Sequence, residues 1–211
     1  MSTKLTARFD RALAFASELH RTQTRKGTEI PYLSHVLAVA AIAIEHGATE
    51  DEAIAALLHD SIEDQSDAHG GAAALRAEIR QHFGDEVLAI VEGCTDADTV
   101  PKPPWKVRKV AYIEHLKVAP APVLLVAGAD KLHNARSIVS ELLADGDRVW
   151  KRFNGGKDGS LWYYRAVCEV LLERFPGRLS EELARTVLEM SALAAPRPPA
   201  AGPASSTQTG A

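Results

Sequence analysis

Apolar residues recur at three- and four-residue spacing along most of this chain, and nowhere do they alternate with polar ones over the length of a strand. A chain patterned in this way buries its apolar surface by packing helix on helix, so the expected class is all-α. Phe9, Ala12, Leu13, Ala16 and Leu19 mark one face of a first helix over Leu5–His20. A polar loop with Gly27 and Pro31 separates it from a nearly all-apolar helix, His35–Glu45, for which Ser34 is the expected N-cap and Gly47 the stop. Thr49 and Glu52 have the spacing of a capping box and start a third helix that runs through Ile54, Leu57 and Leu58 to His59 and Asp60. Gly84 divides Ala72–Phe83 from Asp85–Val91, and the proline-rich stretch Cys94–Pro104 reads as a loop. Trp105–Lys117, Asp130–Leu143, Leu161–Arg174 and Ser180–Leu193 follow as helices. The run Val123–Val126 has the composition of a buried strand as well as of a helix, and the helical patterns on both sides favour the helix. Beyond Ala195 the chain is rich in Pro, Ala, Gly and Ser without apolar period, so 1–195 is expected to form one helical domain and 196–211 a disordered tail.

Composition removes several classes of function. With 24 Lys and Arg against 28 Asp and Glu, the net charge of −4 argues against a nucleic-acid-binding chain, and no basic helix-turn-helix pattern is present. No segment approaches the roughly 20 apolar residues of a membrane span, and the first residues lack the apolar middle region of a signal peptide. The two cysteines, Cys94 and Cys168, show no Cys-x-x-Cys pairing, which fits a reducing cytoplasm and argues against a cysteine-based zinc site.

The chemistry concentrates in Leu57-Leu58-His59-Asp60-Ser61-Ile62-Glu63-Asp64. On a continuous helix Glu63, Asp60 and Asp64 fall about 40°, 100° and 140° around the axis from His59, on one side. Three carboxylates beside an imidazole, directly after an apolar run, repel one another unless positive charge compensates, and a divalent metal ion is the simplest compensation. Such an ion needs further ligands. His35 begins an apolar helix and is either a hydrogen-bonded core histidine or a ligand; Asp130 follows the apolar run Val123–Ala129 and is either the N-cap of the next helix or a ligand.

His35, then His59-Asp60, then Asp130 is the order and approximate spacing of the HD metal-dependent phosphohydrolase superfamily, which the chain resembles over roughly residues 5–175. The segments Arg25-Lys26-Gly27, Pro31-Tyr32-Leu33-Ser34-His35, His59-Asp60-Ser61-Ile62-Glu63-Asp64 and Asp130-Lys131-Leu132-His133-Asn134 make it most similar to the small alarmone hydrolases and to the hydrolase domain of RelA/SpoT homologues. The resemblance implies a four-ligand site of His35, His59, Asp60 and Asp130, usually holding Mn²⁺, although the donor set also suits Fe²⁺ or Zn²⁺. It implies hydrolysis of the 3′-pyrophosphate of guanosine tetra- or pentaphosphate by a water that the ion activates. Glu63 and Asp64 would transfer protons and orient the nucleophile, Glu63 being the proton carrier by its longer arm; on their own they would read as a solvated helix end. Arg25 and Lys26 would contact the base and phosphates, and Asn134 and Ser137, on one face of a helix with Asp130, the ribose and phosphate region.

Lys102, Lys106, Arg108, Lys109 and Lys117 form a local basic patch in which Lys102 is the expected phosphate contact. Trp150, Phe153, Trp162, Tyr163 and Tyr164 read as core packing ahead of a pocket wall for a base. His20, His46, His69, His82, His115 and His133 read as surface or structural residues, His133 because it leaves the helix on a different face from Asp130. The same site would serve an adenosine alarmone or the 2′-phosphate of NADPH, or a nucleotide sensor with little turnover, though the intact set of six acidic and histidine residues speaks against the sensor. Little chain follows the region of resemblance, so synthesis of alarmones is not expected.

Overall fold

A computed structural model describes residues 4–96 and 101–195. Nine α-helices are found among them: α1 (Ala7–Leu19), α2 (Leu33–Glu45), α3 (Glu50–Leu58), α4 (Ser61–Gln65), α5 (Ala72–Cys94), α6 (Trp105–Leu116), α7 (Ala121–Asp145), α8 (Gly156–Arg174) and α9 (Arg178–Leu193). Short 3-10 turns occupy Ser66–His69 and Gly146–Arg152. No strand occurs among the described residues, whose one isolated bridge joins Thr24 to Pro31 across the loop before α2. The expected tail, 196–211, lies outside the described residues. No described helix is long and apolar enough to cross a membrane.

The bundle is built around α7, which packs on α9, α2, α3 and α5, while α3 is also covered by α1. The run Val123–Ala129 is therefore apolar on all sides because it is the buried first half of α7, and Ile54, Leu57 and Leu58 of α3, which packs on α7, are fully buried as well. Close approach of α5 to α7 requires Gly93: a Cβ there would lie 2.5 Å from Cγ2 of Val123. Gly93→Ala is expected to destabilise the fold by about 1–3 kcal/mol through overpacking, with urea unfolding as the measurement.

Three local departures from the sequence pattern bear on the site. Ser34 is not the N-cap of α2; it lies in the first turn, its Oγ donating to the carbonyl of Pro31 at 2.8 Å, and Tyr32 holds the cap position. Proline's fixed φ lets the helical turn begin two residues early. The third helix does not run on through Asp60: it stops at Leu58, and Asp60, with φ −97° and ψ 0°, becomes the residue before α4. Both linking residues stay in the right-handed region, so the four polar groups still share a side. Asp130 is not an N-cap, since α7 is continuous from Ala121 through Asp145. The Thr49–Glu52 capping box is present, and Gly84 bends α5 with a φ of +90° that only glycine adopts freely.

Candidate functional site

His35 from α2, His59 and Asp60 from the α3–α4 turn, and Asp130 from mid-α7 meet at one point in the interior. The Nε2 of His35 lies 3.3 Å from Oδ1 of Asp130 and 3.5 Å from Oδ2 of Asp60. The Nε2 of His59 lies 3.0 Å from Oδ2 of Asp60 and 3.7 Å from Oδ1 of Asp130. Both nitrogens are buried, and neither is aligned for a hydrogen bond with a protein partner. Two orphaned imidazole nitrogens facing two carboxylate oxygens at these separations fit a divalent cation: donors about 2.1 Å from one ion stand about 3 Å or slightly more from each other. Donor atoms of His35, His59 and Asp130 all lie within 4.8 Å of one another; Asp60 approaches the two histidines from the open side.

The site's electrostatics favour positive charge. Burial alone would push His59 down, yet the carboxylates of Asp60 and Asp130 drive it well above the usual histidine range. Burial would push Asp130 up, but the ammonium of Lys131, ion-paired to it, and the two imidazoles hold its carboxyl well below the usual range. Orientation is fixed from behind. Nδ1 of His59 donates to the carbonyl of Ala56 at 2.9 Å, so Nε2 is the nitrogen that would give up its proton and face an ion. The hydroxyl of Tyr32 donates to Oδ2 of Asp60, and the Asn134 amide donates to Oδ1 of Asp130.

Glu63 and Asp64 stand on α4 beside this centre. Oε1 of Glu63 accepts from Lys102 Nζ at 2.9 Å and faces Arg108 at 3.7 Å. Oδ2 of Asp64 accepts from Nε2 of Gln23 at 2.8 Å. The Asp64 carboxyl is pushed up to about 6 by desolvation of its inner side and then by the charges of Asp60 and Glu63, with Gln23 and Lys102 acting the other way. Gln23 is itself clamped, its Oε1 accepting from Gln65 and lying 2.6 Å from Nδ1 of the buried His20.

An acidic hollow of about 200 Å³, bordered by Asp60, Glu63, Asp64, Asp96 and Asp130, adjoins a larger cavity of about 530 Å³. Cations line the larger one: Arg25, Lys26, Arg108, Lys109, Lys131 and Arg152. Nη2 of Arg25 donates to Oδ1 of Asn134 at 2.9 Å, Lys26 donates to Asn154 at 3.1 Å, and Ser137 lies on the wall with its Oγ bonded to the carbonyl of His133. Lys102 reaches the rim through Glu63. The basic patch divides: Arg108 and Lys109 turn inward, held by Asp96, while Lys106 covers the ring of Trp162 and Lys117 pairs with Glu114 at the surface. The aromatic cluster divides as well. Trp150 is core, whereas Phe153, Tyr163 and Tyr164 pack inward and also border the cavity with Trp105.

Two of the histidines read as surface or structural take structural places beside the centre. His20 is fully buried in the Gln23 network and stacks on Tyr32. His133 borders the cavity and sets its Nδ1 2.8 Å from Nδ1 of His35. Burial, then the charges of His35 and Arg25, pushes His133 down to about 4. Its motif position was the available signal, and the helical angle from Asp130 misled because His35 approaches from another helix.

Comparison with known proteins agrees with this geometry. The chain is 41% identical over 130 residues to the guanosine-3′,5′-bis(diphosphate) 3′-pyrophosphohydrolase MESH1 of Xenopus tropicalis, covering 60% of this chain and 67% of the relative. It is 37% identical over 135 residues to the GTP pyrophosphokinase rsh of Brucella melitensis, of which it spans 17%. The solved structure of a metazoan orthologue of SpoT, described as hydrolysing ppGpp, superposes with a TM-score of 0.71 at 29% identity, covering 89% of this chain and 97% of the other. A model of the HD domain matches residues 12–160, which include all four residues of the buried His/Asp centre, and the chain therefore belongs to the HD domain family.

Proposed function

We propose that this protein is a Mn²⁺-dependent 3′-pyrophosphohydrolase of guanosine tetra- and pentaphosphate, releasing pyrophosphate and GDP or GTP. The observation that supports this reading is that ligand atoms of His35, His59 and Asp130 cluster, with Asp60 beside the two histidines, next to an acidic hollow that shares its wall with a cation-lined cavity large enough for a nucleotide. The names of the relatives supply the substrate class. His35, His59, Asp60 and Asp130 hold the ion, which when bound makes water a competent nucleophile and offsets phosphate charge. Arg25 and Lys26 grip the base and phosphates, Lys102 the pyrophosphate, and Asn134 and Ser137 the ribose side. Glu63 takes the proton of the attacking water on its carboxylate, and Asp64 orients that water. Residues 1–195 constitute the catalytic domain, and two buried free cysteines suit a reducing cytoplasm.

The experiment is pyrophosphate release from guanosine tetraphosphate by purified protein with Mn²⁺, run beside an adenosine alarmone and beside phosphate release from NADPH. Fast turnover confined to the guanosine compound supports the proposal; turnover of another nucleotide alone moves the substrate, and tight binding without turnover of any makes the protein a sensor. A pH profile adds a second check. The ionised carboxylate of Asp64 is the working form, so kcat/KM falls as pH drops through its titration. Gln23→Leu removes a hydrogen bond that favours the ionised form, and is expected to move this acid limb upward by about one pH unit.

A further inference from the structure

The two imidazoles of the centre are oriented by different kinds of partner. Nδ1 of His59 faces a backbone carbonyl, which only accepts, so the proton of that ring is fixed on Nδ1. Nδ1 of His35 faces another imidazole nitrogen, Nδ1 of His133, at 2.8 Å. With both rings neutral, one must donate and the other accept, and the pair has two arrangements.

In the first, His35 donates from Nδ1. Its Nε2 is then a lone pair directed at the centre, and the proton of His133 is on Nε2. His133 borders the cation-lined cavity, and its Nε2 has no hydrogen-bond partner among the described residues, so this arrangement presents an N–H to whatever occupies that cavity. In the second, His133 donates from Nδ1, the proton of His35 moves to Nε2, where the oxygens of Asp130 and Asp60 lie 3.3 and 3.5 Å away, and His133 turns a lone pair to the cavity. The carboxylates favour the second arrangement, and a cation between His35 and Asp130 permits only the first.

Resting on the metal-centre reading above, we propose that His133 is the positioning residue of His35 and a tautomer relay: cation binding at the centre makes His133 an N–H donor to an anionic oxygen of the nucleotide in the adjoining cavity. Cation and nucleotide affinities are thereby coupled through one hydrogen bond, and the coupling is reciprocal.

Two substitutions separate the two halves of this role. In His133→Asn the amide oxygen takes the place of Nδ1 and still accepts from His35, but the far N–H is lost. In His133→Gln the amide reaches the place of Nε2 and leaves Nδ1 of His35 without its acceptor. Mn²⁺ binding, measured by equilibrium dialysis, is expected to weaken about 10- to 100-fold in His133→Gln and to stay within about threefold of wild type in His133→Asn. At saturating Mn²⁺, His133→Asn is expected to raise KM for guanosine tetraphosphate about tenfold. Histidine ¹⁵N spectra of the wild type, with Cd²⁺ as a diamagnetic probe, are expected to show the His133 proton moving to Nε2 as the ion binds. Wild-type Mn²⁺ affinity in His133→Gln, or a His133 tautomer indifferent to Cd²⁺, overturns the relay while leaving the metal centre intact. A wild-type protein that binds no Mn²⁺ overturns the metal-centre reading itself.

Discussion

Stripped of divalent ions by a chelator, the protein is expected to lose its hydrolysis of guanosine tetraphosphate by at least about 10³-fold and to regain it when Mn²⁺ is returned. The magnitude follows from what the centre lacks without a cation. Asp60 and Asp130 bring two negative charges to a buried point, and the imidazole nitrogens beside them have no hydrogen-bond partner. Among the described residues the lysines and arginines nearby are committed elsewhere, Lys131 to Asp130 and Lys102 and Arg108 to Glu63 and Asp96, and a protonated His59 offsets charge without activating water. His59→Ala is expected to match the chelated protein and to resist rescue at ordinary Mn²⁺ concentrations. A thermal readout separates loss of the ion from loss of the fold. Mn²⁺ at about 100 times its dissociation constant adds about 2.7 kcal/mol to the native state, which for a chain of this size raises Tm by about 5–10 °C. His59→Ala should fold and show no such rise. Full turnover in chelator, or a Tm indifferent to Mn²⁺ in the wild type, would sink the metal assignment.

The fold was legible because helix period, caps and breakers all agree locally. Thr49 with Glu52, Gly84 and the apolar run before Asp130 each state their structure within a few residues. The candidate centre was legible through the order of His35, His59-Asp60 and Asp130, which carries the family resemblance; singly, His35 also read as a core histidine and Asp130 as an N-cap. What escaped depends on how helices cross. His133 leaves α7 on a different face from Asp130, and only the docking of α2 on α7 brings His35 to it. Gln23 is 41 positions from Asp64 and meets it because the loop before α2 folds back over α4. The basic stretch around α6 could not be sorted into working and idle cations by sequence, since the sorting is done by Asp96 and by the ring of Trp162. The helical wheel over His59–Asp64 survived an interrupted helix because both residues of the break keep right-handed backbone angles. Each of these contacts joins segments whose relative placement no local pattern encodes.

Glu63→Gln is expected to lower kcat about 10²- to 10⁴-fold, the contribution of a positioned proton acceptor, while KM for guanosine tetraphosphate stays level or falls. The split is the informative part. Glu63 sits at the seam between the acidic hollow and the cationic cavity and engages Lys102 and Arg108 in the free protein. A nucleotide phosphate seeking those cations must first take them from the carboxylate. The amide keeps the shape of the side chain and gives up its charge, which releases Lys102 to bind phosphate while Arg108 stays paired with Asp96, so binding holds or improves as catalysis collapses. On the proposed assignment Lys102→Ala should show the opposite split, a raised KM with a smaller change in kcat, because it would remove a phosphate contact and leave the proton acceptor in place. Steady-state kinetics at saturating Mn²⁺ distinguish the two variants. If Glu63→Gln raised KM as strongly as it lowered kcat, Glu63 would be acting through substrate binding, and the proton-accepting role would pass to Asp64, whose carboxyl titrates near 6.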